Sequence, residues 1–356
     1  MENKKPKSIN EILEDKELHD GELFTPVDYY FQMKGKNVRG QILHHIREKY
    51  FDGIAPLEKL GVLGVFASSF IEKYSQNQKT ISVEKAFDTI ADAVNLLHNA
   101  SLVIDDIQDE SVVRRKQQTA HLKYGLGLSL NAGYLTIFRI LNIIGRDHPT
   151  FLPVILDALD KIHVGQGFDI YYTQHQIIPS IVDYVEMMKN KTGCLFTISL
   201  DLISETFALE NKVPAVFKRE LDAIRLALNK FAIYFQIRDD YINLCDPKYW
   251  QEKGFCQDFD EQKMSYIMVK YAHSYLRNDP THIERLIKLH RASKNNIPNK
   301  VILLKEFHES GLFNDVFDEL NTLKQEVLSV LNLSHIFEKL SVVRFDFDSI
   351  GKHLSV

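Results

Sequence analysis

Long apolar runs are missing from this chain of 356 residues. Its most apolar stretch, Leu57 to Tyr74, carries Glu58, Lys59, Glu72 and Lys73 at its ends, leaving about 12 uncharged residues, too few to cross a bilayer. No transmembrane segment is therefore expected. The start, Met1 to Gly21, is charged and apolar-poor, unlike a signal peptide. Cysteine is scarce: Cys194, Cys245 and Cys256 show no CxxC spacing, and their odd number cannot all pair within one chain. A reducing, cytoplasmic setting without disulfides is the simpler reading. Only 10 prolines and 16 glycines are present, fewer than loop-rich all-β folds usually carry. A formal charge of −5 offers no general attraction to nucleic acid, so any basic site has to be local. Neither an internal repeat nor a low-complexity tract nor a domain linker is visible.

What the chain does have is helical periodicity. In 82–109, Ser82 suits an N-cap, and Ala86, Ile90, Val94, Leu97, Ser101 and Ile104 keep to three- and four-residue steps. Similar patterns run through 128–145, 151–172, 181–207, 214–243, 260–276 and 301–342, while Val342 to Phe347 suits extended chain. Breaks fall at Gly145 to Pro149 and at Asp246-Pro247. The expectation is a tail over 1–20 and one all-α domain over 21–356, with a long central bundle.

Two acidic clusters interrupt the apolar helices: Asp105-Asp106-Ile107-Gln108-Asp109 and Asp239-Asp240-Tyr241-Ile242-Asn243. A four-residue step puts Asp105 and Asp109 on one helical face, and Asp239 and Asn243 repeat it. Clustered carboxylates in apolar surroundings repel one another unless a cation compensates them. Magnesium suits such a cradle, because it takes one or two carboxylates and completes its shell with water and phosphate oxygens. An acidic helix face on its own is usually just a solvated surface. Here basic residues surround it. Arg114 and Arg115 follow the first cluster, Gln236 and Arg238 precede the second, and Lys253 and Lys263 come after it. Lys191-Thr192 opens a later helical stretch, Lys36 and Arg39 flank a glycine-led turn, and His98 sits two turns before Asp105.

In their order along residues 24–290 these motifs resemble the trans-isoprenyl diphosphate synthases, and most closely the eukaryotic geranylgeranyl diphosphate synthases. The resemblance rests on Leu97 to Leu102, Asp105 to Asp109, Arg114-Arg115, Gly165 to Tyr171, Lys191-Thr192-Gly193 and Phe235 to Tyr241. A second motif ending in Asn243 is usual in that branch. The resemblance implies an isoprenoid-synthase-type bundle around a central cavity, and a homodimer or higher homo-oligomer. It also implies three magnesium ions held by Asp105, Asp106, Asp109, Asp239 and Asp240. Arg114, Lys191, Thr192, Gln236, Lys253 and Lys263 would contact the allylic diphosphate. Lys36, Arg39, His98 and Arg115 would clamp isopentenyl diphosphate. The implied reaction joins isopentenyl diphosphate to an allylic diphosphate, farnesyl diphosphate for a C20 product.

Product length in this family follows the residues four and five positions before the first aspartate. Here they are Ser101 and Ala100, small enough for a product of C20 or longer. A deeper floor near Tyr134 would involve Thr136, Ile137 and His163; the small Thr136 and Ile137 keep C25 open. Some positions depart from the family pattern. Arg115-Lys116-Gln117-Gln118 lacks the usual glycine and proline, Met264 to Ile267 replaces a Phe-Ser-Phe-Pro type segment, and 40–92 holds extra sequence. Two other readings remain: a terpene synthase of the same fold, whose isopentenyl clamp would be free to decay, and a silent regulatory subunit, which should have lost aspartates.

Overall fold

Helix-favouring sequence dominates residues 20–33, 37–50, 83–147, 149–209 and 215–354, the parts of the chain described in the computed structural model. After a short 3-10 turn at Asp20–Phe24 come α1 (Thr25–Gln32), α2 (Val38–Tyr50) and α3 (Val83–Gln108). A two-residue ribbon, β1 (Val113–Arg114) with β2 (Gln117–Gln118), leads to α4 (Ala120–Tyr124), α5 (Leu126–Asp147) and α6 (Leu152–His175). Next are α7 (Ile181–Met188), a π-helical turn at Lys189–Gly193, α8 (Cys194–Leu209) and α9 (Ala215–Cys245). The remaining helices are α10 (Pro247–Lys253), α11 (Gln257–Asp260), α12 (Tyr266–Lys270), α13 (Pro280–Ala292), α14 (Ile297–Glu309), α15 (Leu312–Leu328), α16 (Ser334–Lys339) and α17 (Asp348–Leu354). The fold is all-α, and the ribbon is the only strand pair among the described residues.

Buried apolar side chains from Val27 to Ile350 join in one continuous core, with Ile162, Cys194 and Leu195 as a small satellite. Close approach of α3 and α5 depends on Gly133. A Cβ there would lie 2.7 Å from Cγ1 of Ile104 and 3.3 Å from the carbonyl of Ala100. Tyr234 and Arg238 of α9 both donate to the Leu340 carbonyl, at 3.0 and 2.8 Å, and Tyr241 accepts from Phe345 N at 3.0 Å. The C-terminal segment is thereby tied to the helix that carries the second acidic cluster.

Several expectations change in detail. Residues 181–207 do not form one regular helix, because the π turn sits between α7 and α8. The helix expected over 260–276 is a loop as far as Ser265, with Gln262 at φ 58°, and then the short α12 and a second π turn at Tyr271–Tyr275. The stretch 301–342 divides into α14, α15 and α16, broken at Gly311 (φ 86°) and near Leu331. Asp246 caps α10 as its Asp-Pro pair suggests, accepting from Lys248 N at 2.9 Å. Asp20, placed in the tail by sequence, belongs to the first 3-10 turn. The rest of that tail, Ser82 and the apolar stretch 57–73 lie outside the described residues.

Candidate active site

At the C-terminal end of α3 the two neighbouring aspartates part company. Asp105 and Asp109 face a cleft, whereas Asp106 is fully buried beside them. The chain doubles back through the ribbon, whose turn residues Arg115 and Lys116 both have positive φ, 51° and 66°. That tight turn occupies the positions where the usual glycine and proline are missing. It returns Arg114 over the end of α3, where Nε donates to Asp106 at 2.9 Å and Nη2 reaches Asp105 at 3.2 Å. Tyr30 of α1 closes a very short hydrogen bond to the same Asp106 carboxylate and accepts from Ala120 N at 3.1 Å. Both Asp106 oxygens thus carry hydrogen bonds, and the side chain lies outside the cleft lining.

In the second cluster both aspartates line the cleft, but they differ in exposure. Asp239 is the more open, held by Arg238 at 3.0 Å. Asp240 is buried and accepts from Tyr184 OH at 2.6 Å, Tyr266 N at 2.7 Å and Gln236 Nε2 at 3.0 Å. Asp240 lines the cleft while its oxygens also hold Tyr184, Tyr266 and Gln236 in place. Asn243 exchanges two hydrogen bonds with Asp258, donating at 2.8 Å and accepting at 3.1 Å. An amide can make that reciprocal pair; an ionised aspartate lacks the donor.

Lysines close the ring. The π turn brings Lys191 Nζ to 2.5 Å from Asp169 of α6 and 3.5 Å from Asp105. Gly165 makes this possible, since a Cβ there would sit 2.4 Å from Lys191 N. Lys263 reaches Asp109 at 3.0 Å and Glu261 at 2.8 Å. Thr192 donates to Gln236 Oε1 at 3.0 Å, and Lys253 stands exposed at the mouth. The cleft encloses about 1090 Å³, including its solvent-open mouth.

Burial alone would raise the Asp109 carboxyl, but Lys263 and Lys191 outweigh it and hold it down at about 2. Burial likewise opposes the charges on Lys191 and Lys263, yet the surrounding carboxylates keep both ammonium groups above their usual range. Burial lifts Asp258 well above the usual carboxylate range; Lys263 counters this, while Asp240 and Glu261 add to it. The cleft is a poised mixture of charges, ready to exchange internal pairs for those of an anionic ligand.

A second basic group has no such compensation. Burial and then Arg115 push Arg39 down to about 10, and burial with Arg39, Arg115 and Arg114 holds His98 well below its ordinary range. Arg39 Nε and His98 Nδ1 are buried without a hydrogen-bonding partner among the described residues. The Arg39 guanidinium lies 4.8 Å from the centre of the Phe196 ring. Arg115 donates to the carbonyls of Tyr30 and Met33 at 3.3 and 2.9 Å. Lys36, expected in this group, lies outside the described residues.

The residues expected to set product length are more scattered. Ala100 is fully buried against α5, and the Ser101 hydroxyl donates to the His98 carbonyl at 2.8 Å. Thr136 is buried, with its hydroxyl on the Ala132 carbonyl at 2.8 Å, and Ile137 lies in the core. None of the four lines the polar cleft. His163 is exposed on α6, with Nδ1 2.7 Å from the Leu159 carbonyl, and it does not line the cleft either. The cleft also uses residues to which the sequence assigned no role. Asp169 lay inside a quoted motif, and Asp258 and Glu261 lie within five residues of Lys263. Tyr30 and Tyr184 carried no local signal; they meet their aspartates across 76 and 56 residues.

Carboxylates and lysines brought together around one cleft give the fold a site whose charges suit a polyanionic group. The chain belongs to the polyprenyl synthetase family, which matches residues 20–303. It is 28% identical to geranylgeranyl pyrophosphate synthase 2 of Gibberella fujikuroi over 299 residues, 83% of this chain and 72% of that protein. To a terpene synthase of Matsumurasca onukii it is 31% identical over 313 residues, 88% of either chain. To a bifunctional type I diterpene synthase of Aspergillus flavipes it is 34% identical over 246 residues, 67% of this chain. The matched part is only 30% of that fungal protein's length.

Proposed function

We propose that this chain is a chain-elongating prenyltransferase that adds isopentenyl diphosphate to an allylic diphosphate, with farnesyl diphosphate as primer and geranylgeranyl diphosphate as product. The observation that carries the reading is the pairing of an acid-and-lysine cleft with a neighbouring basic group, Arg39, His98 and Arg115, in which Arg39 Nε and His98 Nδ1 are buried without a hydrogen-bonding partner among the described residues. One site suits a diphosphate that must leave; the other suits a diphosphate that must only be held.

The donor set fits magnesium. Asp105, Asp109, Asp239 and Asp240 line the cleft, with Asp106 beside Asp105 behind it. No group of three acidic, histidine or cysteine side chains among the described residues is close enough to enclose an ion alone. Magnesium takes one or two carboxylates and completes its shell with water and phosphate oxygens. Magnesium bound there supplies charge neutralisation to a departing diphosphate. Lys191, Lys263 and Arg114 give up part of their pairing with aspartates to take the oxygens of the allylic diphosphate, and Thr192, Gln236 and Lys253 complete the contact. Breaking the allylic C–O bond sends its electron pair to the diphosphate and leaves an allylic cation. The double bond of isopentenyl diphosphate, held by Arg39, His98, Arg115 and Lys36, attacks that cation. A proton then passes to the released diphosphate. Apolar helix faces beneath the cleft exclude water while the cation exists.

Three buried free thiols, Cys194, Cys245 and Cys256, fit a reducing, cytoplasmic setting. Among the described residues no helix is long and apolar enough to cross a membrane. The outer faces of α5 and α6 expose Tyr134, Phe138, Val164, Phe168 and Tyr171, a surface suited to a homodimer. A second reading is favoured by the Matsumurasca onukii relative: ionisation of a prenyl diphosphate without elongation. The deciding experiment supplies magnesium, isopentenyl diphosphate and dimethylallyl, geranyl or farnesyl diphosphate, and sizes products with and without phosphatase. Prenyl alcohols of C20 released only by phosphatase establish elongation, and a C25 product revises its length. Hydrocarbons or alcohols formed without phosphatase establish terpene synthesis instead.

A further inference from the structure

Beneath the cleft, the inner stripe of α6 runs through Ile155, Ala158, Ile162, Gly165 and Gln166 before reaching Asp169. Gln166 is out of character there. It is only 8% exposed, and neither Oε1 nor Nε2 has a hydrogen-bonding partner within the described protein. Among the described residues it is the only buried side chain that leaves two polar atoms unmatched. Burying an amide in that condition costs about 1–3 kcal/mol, which leucine or methionine would avoid at similar volume.

Its height in the bundle is well defined. Gln166 stands one helical turn, about 4.5 Å of rise, below Asp169. Asp169 meets Lys191 at 2.5 Å, and Lys191 also reaches Asp105 on α3 at 3.5 Å. The contact of Gly165 with the Lys191 backbone sets α6 against that turn. One turn below Asp105 on α3 is Ser101. Gln166 and Ser101 are outside the polar lining of the cleft; each lies one turn below a residue that lines it, at the level where the first carbons of an allylic chain would lie.

We propose that the Gln166 carboxamide contacts the reacting allylic carbons and stabilises the cation through the negative end of its dipole, Oε1. This rests on the reading that the cleft ionises a prenyl diphosphate, by elongation or otherwise. When the C–O bond breaks, its electron pair leaves with the diphosphate and positive charge spreads over C1 and C3. A carboxylate at this position would stabilise that charge but would also capture it as an ester. A hydroxyl would capture it as an ether after losing its proton. An amide oxygen supplies the dipole with little nucleophilicity, and with no hydrogen-bonding partner among the described residues its lone pairs are left for the substrate.

The test compares the full-length protein with Gln166→Leu and Gln166→Met. Both variants should melt at or above the wild-type temperature, since each removes a desolvated amide. Turnover should fall about a hundredfold, the scale of losing one preorganised dipole. KM for both diphosphates should stay within about twofold, because their head groups bind elsewhere. An ammonium analogue of the allylic chain, added with magnesium and inorganic pyrophosphate, should bind the variants about tenfold more weakly, while its uncharged carbon isostere should bind all three proteins alike. Wild-type turnover in either variant would overturn the inference. So would a lowered melting temperature with undiminished preference for the ammonium analogue, which marks a structural amide. If the wild-type protein releases diphosphate from no allylic substrate, the ionisation reading fails and takes the inference with it. Failure confined to the variants' comparison leaves that reading standing.

Discussion

Adjacent carboxylates in this chain do opposite work. Asp105 faces the cleft with its charge shared between Arg114 and Lys191, whereas Asp106 is a buried anchor for Arg114 and Tyr30. Asp105→Ala should lower turnover about a thousandfold with little change in the urea unfolding midpoint, because it removes a charge that acts on the substrate. Asp106→Ala should reduce both turnover and stability, the latter by about 3 kcal/mol, since it strands a buried guanidinium. Equal stability of the two variants would refute this division. His290 provides a pH signature unrelated to catalysis. It is fully buried, with Nδ1 3.3 Å from Gln176 Oε1, and burial followed by Arg291 lowers its pKa from 6.5 to about 4. The unfolded chain takes up this proton first, so acid favours unfolding. Stability from this residue is complete above about pH 6.5 and falls by about 3 kcal/mol as the pH drops to about 4. Urea midpoints measured across that window should lose this slope in His290→Leu; an unchanged slope would show that the ring is not responsible.

At the scale of elements, the π turn and the loop before α12 do the positioning. A regular helix through 189–193 would turn Lys191 relative to Asp169, and Gly165 lets α6 approach closely enough to meet it. Gly165→Ala should displace the turn, costing about 2 kcal/mol by overpacking and turnover out of proportion to that loss. Crystal or NMR coordinates with Lys191 undisturbed would contradict it. The loop carrying Asp258, Glu261 and Lys263 is clamped from behind by the α13–α14 hairpin. Lys300 meets Asp260 at 2.6 Å and the Phe255 carbonyl at 2.7 Å, Asn295 N donates to Asp260 at 2.7 Å, and Gln262 donates to the His290 carbonyl at 3.0 Å. Lys300→Met should raise KM for the allylic diphosphate about tenfold through a loosened Lys263, although Lys300 itself does not line the cleft. Initial-rate kinetics that leave KM unchanged would remove Lys300 from this role.

For the whole molecule, one apolar core joins helices from both ends of the chain, and its exposed aromatic surface lies on α5 and α6. Phe138, 63% exposed, is the best probe of the proposed homodimer. Phe138→Glu should shift the protein toward monomer in light-scattering measurements with its helical circular dichroism retained; an unaltered mass would place the interface elsewhere.

The all-α class, the long central helices and the paired acidic motifs were legible in the sequence, because apolar spacing and the i, i+4 step are local properties of a helix. So was the composition of the basic groups around them. Tertiary structure alone decided the partners of the buried carboxylates: Asp106 is taken by Tyr30, and Asp240, which still lines the cleft, by Tyr184 and Tyr266, none of them near in sequence. It also moved His163 to the surface and broke the expected helix over 260–276 so that Lys263 could reach Asp109. Periodicity reports which face of a helix is buried, but the partner waiting there comes from another part of the chain. Whether a buried charge becomes a ligand or an anchor depends on that partner.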